Sequence, residues 1–204
     1  MFYYYISCGP FLIYWLSCGF IELFVIEEKK KKYIINNVSK KDVFFNVIKI
    51  TVSTIISNIL IVYFNILHNE DIRIIYLLLG IWWIDTIEYF THRYMHTNKF
   101  LYKKFHKVHH EMHDTYHYGA LYNSSFEASI TGSMLFAGIY LLGISYEEYI
   151  IITMLANVAT VIDHTYINYK HKFHYLHHSV YHNYNYQQPF FTYYDRLLGT
   201  YKCD

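Results

Sequence analysis

IRIIYLLLGIWWIDTIEYFTHRYMH, running from Ile72 to His96, decides how the rest of the chain is read. Its first part, Ile72 to Thr91, is about long enough as a helix to cross a hydrocarbon core of roughly 30 Å. It carries Asp85 and Glu88 near its end and then runs straight into His92-Arg-Tyr-Met-His96. His92 and His96 are i and i+4, so a continuing helix stacks both imidazoles on one face. An apolar helix thus delivers a pair of metal-type side chains to one membrane surface.

The flanking sequence repeats the apolar theme. Phe2 to Ile26 holds one charge, Glu22, and Val43 to Leu67 holds one, Lys49; each is long enough to span. Ser129 to Ile144 and Tyr149 to Ile162 form a shorter pair around Ser145-Tyr-Glu-Glu148, expected as a helical hairpin or as re-entrant helices. With the N-terminus outside and five crossings, 15 of the 17 Lys and Arg fall on the inner side, as the positive-inside rule asks. So do 13 of the 14 histidines, His68 being the exception. Phe2 to Ile26 has no basic residues before it and the run Lys29 to Lys32 after it, which reads as a retained anchor rather than a signal peptide. The expected fold is all-α: a multi-pass helical membrane protein with a histidine-rich di-metal site on its cytosolic face. Residues 1–70 form the anchor region and 71–204 the catalytic region of one domain.

Composition excludes several alternatives. The chain is 204 residues long, 54% hydrophobic and only 16% charged, which rules out intrinsic disorder. A net charge of +1 gives no general pull toward nucleic acid. The basic-aromatic run Tyr102 to His110 lies between a membrane segment and the histidines, so no nucleic-acid partner is expected. Cys8, Cys18 and Cys203 contain no CxxC pair, which argues against a thiolate zinc site and a disulfide framework. GxSxG, Walker and GxGxxG motifs are missing.

Histidine spacing carries the chemistry. After His92 and His96 come His106-Lys-Val-His109-His110, then Asp163-His164, then His174-Tyr-Leu-His177-His178. HxxxH and two HxxHH boxes supply eight imidazoles and His164 a ninth, enough for two metals, and imidazole suits Fe, Zn, Cu or Ni. His113 and His117 would extend the stripe of His106 if that helix continued to Gly119. The chain lacks the paired ExxH motifs of carboxylate di-iron bundles. Asp85, Glu88, Glu127, Asp163 and Asp195 are therefore better suited to holding the outer ring nitrogens of ligands, the alternative for Asp85 and Glu88 being a place at the membrane interface, snorkelling or paired with Arg93.

These residues resemble the fatty acid hydroxylase / sterol desaturase superfamily, and within it the sphingolipid C4-hydroxylases. The strings that carry the resemblance are Tyr89-Phe-Thr-His-Arg-Tyr-Met-His96, Asn98-Lys-Phe-Leu-Tyr102, Gly119-Ala-Leu-Tyr-Asn123 with Glu127, Asp163-His164, Gln188-Pro-Phe-Phe191 and Asp195-Arg-Leu-Leu-Gly-Thr-Tyr201. The resemblance implies metal ligation by His92, His96, His106, His109, His110, His164, His174, His177 and His178. It implies two metal ions, iron first and zinc as a substitute on purification, with O2 as co-substrate. Electrons would come ultimately from NAD(P)H, through a cytochrome b5-type donor and its reductase, in the endoplasmic reticulum. The implied reaction is C4 hydroxylation of sphinganine or dihydroceramide, the lipid tail lying among the third to fifth segments. A sterol or fatty-acyl hydroxylase or desaturase of the same superfamily is the second reading, and a catalytically silent lipid- or metal-binding membrane protein the third. Ser124-Ser125 stands where the family has His-Pro; His113, His117, His182 or a water is expected to fill that place.

Overall fold

The computed structural model describes residues 3, 7–24, 38–113, 115–165 and 173–203. The ends of the first apolar segment, the run Lys29 to Lys32, and Lys170, His171 and Lys172 lie outside the described residues. Within them the chain is helical with no strand: α1 Gly9–Phe24, α2 Lys40–Tyr63, α3 Ile74–Thr97, α4 Lys99–Lys104, α5 Ser125–Leu141, α6 Tyr146–Asp163, α7 Phe173–Ser179 and α8 Tyr193–Leu197. Two 3-10 turns, His106–Glu111 and His117–Gly119, lie between α4 and α5.

Local chemistry sets the helix ends. Ser39, Asn98, Ser124 and Ser145 each accept a backbone N–H of the first turn they open. The Ser145 cap is reciprocal, because the Glu148 side chain returns to the Ser145 N–H. α5 stops where Gly143 takes φ +67°. Ile144 N–H then bonds Ile139 O, and Gly143 N–H bonds Tyr140 O, closing the helix in a Schellman turn. α5 and α6 thus follow one another across this turn, each packed on α3.

α2 and α3 are long and apolar enough to cross a membrane, whereas α1 is a shorter apolar helix. Much of their apolar surface faces outward, including Leu16, Phe20, Phe45, Ile56, Leu78 and Trp82. Inside, α1 packs on α6, and α3 packs on both α5 and α6. One cluster joins Tyr14, Cys18, Val47, Met112 and Val161. Another joins Ile61, Ile84, Ile139, Ile144 and Ile152. At the far end from the histidines, Glu148 accepts from Arg73 Nε and Nη2, each at 3.0 Å. Against the upward push of burial, these bonds hold the Glu148 carboxyl down to about 2.

Close approach of α3 and α5 depends on Gly138. A Cβ there would lie 1.9 Å from Trp83 Cε2 and 2.0 Å from its Nε1. The indole cannot simply swing away, because its Nε1–H donates to Leu135 O at 3.1 Å. Gly138→Ala is expected to lower the thermal midpoint in detergent, with a cost of about 1–3 kcal/mol from overpacking. An unchanged melting curve would show that this contact does not set the α3–α5 spacing.

Candidate metal centre

Four helical elements bring the histidines together. α3 supplies His92 and His96, the 3-10 turn supplies His106, His109 and His110, the residue ending α6 supplies His164, and α7 supplies His174, His177 and His178. Their ring nitrogens fall into two groups. His92, His96, His106, His110 and His177 form one; His109, His164, His174 and His178 form the other, and within each the ligand atoms lie within 4.8 Å of one another. All nine positions singled out in the sequence are thus brought together.

Each HxxHH box divides between the groups in the same way. Its first and last histidines enter one group and its middle histidine the other. On α7 this follows from 3.6 residues per turn: neighbours 177 and 178 point about 100° apart, while 174 and 178 nearly superimpose. The two groups consequently share walls, with the His110 and His178 ring centroids 4.6 Å apart.

Tautomers are set from outside. His92 Nδ1 donates to Tyr186 O at 2.8 Å, His109 Nδ1 to Tyr122 O at 3.1 Å, His164 Nδ1 to Thr160 O at 2.8 Å and His177 Nδ1 to Tyr184 O at 2.6 Å. A carbonyl only accepts, so each Nδ1 carries the proton and each Nε2 presents a lone pair. His106 Nδ1 donates to Glu127 Oε1 at 2.6 Å. In the first group, Nε2 of His96 lies 2.8 Å from that of His106 and 2.9 Å from that of His110, and His106 and His110 are 3.1 Å apart. In the second, His174 Nε2 lies 3.1 Å from His164 Nε2 and 3.0 Å from His178 Nε2. Converging lone pairs repel unless a cation sits among them. Ligands at roughly 2.0–2.1 Å from one ion are about 2.9–3.4 Å apart, so these spacings fit two metal sites.

Burial, reinforced by neighbouring rings, lowers the basicity of His106, His110, His174, His177 and His178. Burial pushes His109 down to about 4 and His164 to about 3. Neutral imidazole, the ligand form, is what this environment favours.

Three expectations need correction. First, of the five carboxylates expected against ring nitrogens, Glu127 alone makes such a hydrogen bond among the described residues; backbone carbonyls hold four other rings. Asp85 and Asp195 act one step back. Asp195 accepts Tyr186 N–H and Gln187 N–H, and Asp85 accepts Phe190 N–H and Phe191 N–H. Second, the His106 helix does not continue to Gly119. It ends at Glu111, and His117 turns away to Glu22, with Nε2 to Oε2 3.2 Å. Third, His113, His117 and His182 place no ring nitrogen in either group. His182 comes nearest, its centroid 5.5 Å from that of His110. Ser124 is the cap of α5, bonding Glu127 N–H at 3.2 Å and thereby aiming Glu127 at His106. The carbonyl holders of Tyr122, Thr160, Tyr184 and Tyr186 could not have been found from the sequence, because a backbone acceptor has no side-chain signature.

A cavity of about 690 Å³ opens onto this centre. It is lined by His92, His106 and His109 together with residues of α2, α3, α5 and α6. α2, expected only as anchor, forms one wall of it.

A family model for fatty acid hydroxylase matches residues 77–200. The chain belongs to the fatty acid hydroxylase family. The match covers every histidine of both groups. Sphinganine C4-monooxygenase 2 of Arabidopsis thaliana is 34% identical over 131 residues, 58% of this chain and 51% of that protein. The sphingolipid C4-hydroxylase sur2 of Schizosaccharomyces pombe is 38% identical over 131 residues, 58% of this chain and 45% of that one. A very-long-chain aldehyde decarbonylase of Oryza sativa subsp. indica is 29% identical over 130 residues, 57% and 50% respectively. The chain spans about half the length of the curated relatives it matches. No solved structure matches it.

Proposed function

We propose that this fatty acid hydroxylase family member is a membrane-bound lipid oxygenase that hydroxylates sphinganine or dihydroceramide at C4. The observation that carries the reading is the pair of histidine groups bordering a cavity of about 690 Å³. His92, His96, His106, His110 and His177 would hold one metal ion, and His109, His164, His174 and His178 the other. Iron is the metal of choice. Bound there, it supplies reduction of O2 and attack on an unactivated C–H bond. The chain's own residues keep Nε2 of His92, His106, His109, His164 and His177 unprotonated through outer Nδ1–H bonds, exclude water by burying the rings, and align the lipid in the cavity. Electrons enter from outside, from NAD(P)H through a cytochrome b5-type donor and its reductase. The outward apolar faces of α1, α2 and α3 support a multi-pass placement in the endoplasmic reticulum membrane, the histidine centre facing the cytosol. Residues 1–70 serve as anchor, with α2 also walling the cavity, and 71–204 as catalytic region. Likeness to an aldehyde decarbonylase supports a second reading, oxidation of another acyl or sterol lipid at the same centre.

Expression in cells lacking their own sphingoid C4-hydroxylase, followed by lipid mass spectrometry, tests this. Trihydroxy bases should appear with the intact chain and vanish with His106→Ala. A well-expressed chain that yields none sinks the C4 reading, and a shifted acyl or sterol profile selects the second.

A further inference from the structure

The cavity wall and the cavity floor differ in what they offer a ligand. Thr51, Thr54, Ser57 and Thr153 line the wall. Their hydroxyls donate back to carbonyls of their own helices, at 2.8, 3.1, 3.0 and 3.0 Å. Those hydroxyls are satisfied, so the wall behaves as an apolar sleeve. Lys49 reaches the cavity from an exposed position.

The floor beside the histidines is different. Glu88, Gln188, Glu127 and Asn123 line it next to His92, His106 and His109. Gln188 Nε2 donates to Glu88 Oε1 at 3.0 Å, joining α3 to the segment before α8. Glu127 Oε2, Gln188 Oε1 and Asn123 Oδ1 are buried acceptors with no partner, and Glu127 and Gln188 are only 7% and 8% exposed. An unsatisfied buried acceptor is destabilising, and an unsatisfied carboxylate more so. All three unpaired atoms are acceptors, so their missing partner is a donor.

We propose that this floor is a head-group site in which Glu88, braced by Gln188 and flanked by Glu127 and Asn123, holds the amine and hydroxyl donors of an amino-alcohol lipid. The inference rests on the lipid-oxygenase reading and makes it more specific. The polar head lies at the metal end, the tail runs up the apolar sleeve, and the C–H bond presented is a few bonds from the head rather than mid-chain. Glu88 is a specificity-determining residue in this arrangement.

Equilibrium binding to the full chain in nanodiscs tests it, using labelled sphinganine, its N-acetyl derivative and a 1-alkanol of the same length. The intact chain should prefer sphinganine to the alkanol by about tenfold or more, and a tenfold preference is about 1.4 kcal/mol. Glu88→Gln keeps an acceptor for Gln188 and should reduce that preference toward unity while alkanol binding holds. A loss confined to free sphinganine identifies the ammonium as what Glu88 grips; an equal loss with the N-acetyl lipid identifies the hydroxyls. Either supports the site. Wild-type preference in both Glu88→Gln and Gln188→Ala overturns it, the second variant guarding against a folding failure in the first. Glu88-dependent selectivity without hydroxylated product would instead overturn the oxygenase reading alone, and product formation without head selectivity would overturn this site alone.

Discussion

His110→Ala is expected to lower bound metal by about one ion per chain and to cut product by more than about 100-fold. Nε2 of His110 is 2.9, 3.1 and 3.2 Å from those of His96, His106 and His177, so it touches three other donors of its group. Its ring also lies over His178 of the second group. Losing even an outer partner of a metal ligand typically costs 10–100-fold in affinity or activity, and losing the ligand itself costs more. The alanine leaves a buried gap among lone pairs that still repel, so the remaining rings are expected to splay. His182→Ala is the matched control. Its ring is close to His110 yet contributes no nitrogen to either group, and metal content should hold. Metal analysis of the purified chains, beside lipid profiling, reads both. A His110→Ala protein with unchanged metal and product would remove this histidine from the centre.

Much of this centre was legible because its signals are local. HxxxH on an apolar helix states both the element and the face, and the 3.6-residue period makes the geometry nearly automatic for His92 and His96. The second HxxHH box behaves alike, since α7 is a regular helix over that stretch. The first box was harder. Spacing alone predicts a stripe running on to His117, but the chain tightens into a 3-10 turn and breaks at Met112, whose side chain packs into the core against Gly119. That break depends on tertiary packing. The carboxylates were misassigned for a related reason. A buried acid must find donors, but the sequence does not say whether these will be ring nitrogens or backbone amides. For Asp85 and Asp195 they are amides of a segment, 105 and nine residues away respectively.

That segment is the object of the second large effect. Residues 186–191 are gripped at both ends: Asp195 Oδ1 and Oδ2 accept Tyr186 N–H at 2.9 Å and Gln187 N–H at 2.8 Å, and Asp85 takes Phe190 and Phe191. Asp195 Oδ1 also accepts Thr200 Oγ1–H at 2.8 Å, and Asp195 is fully buried. Tyr186 passes the constraint on, because its carbonyl receives His92 Nδ1–H. Asp195→Asn preserves shape but turns an NH2 toward one of these donors. It removes at least one charge-assisted bond and leaves a buried N–H unpaired, for a combined cost of about 2–4 kcal/mol. The loss is expected to appear twice: as a lower thermal midpoint and as depletion of metal from the group containing His92. Thr200→Ala, which removes one neutral donor and leaves both backbone amides held, should cost only about 1 kcal/mol and retain both ions. If Asp195→Asn melts like the parent and keeps full metal, the 186–191 segment is held by Asp85 and its own packing, and Asp195 has no part in orienting His92.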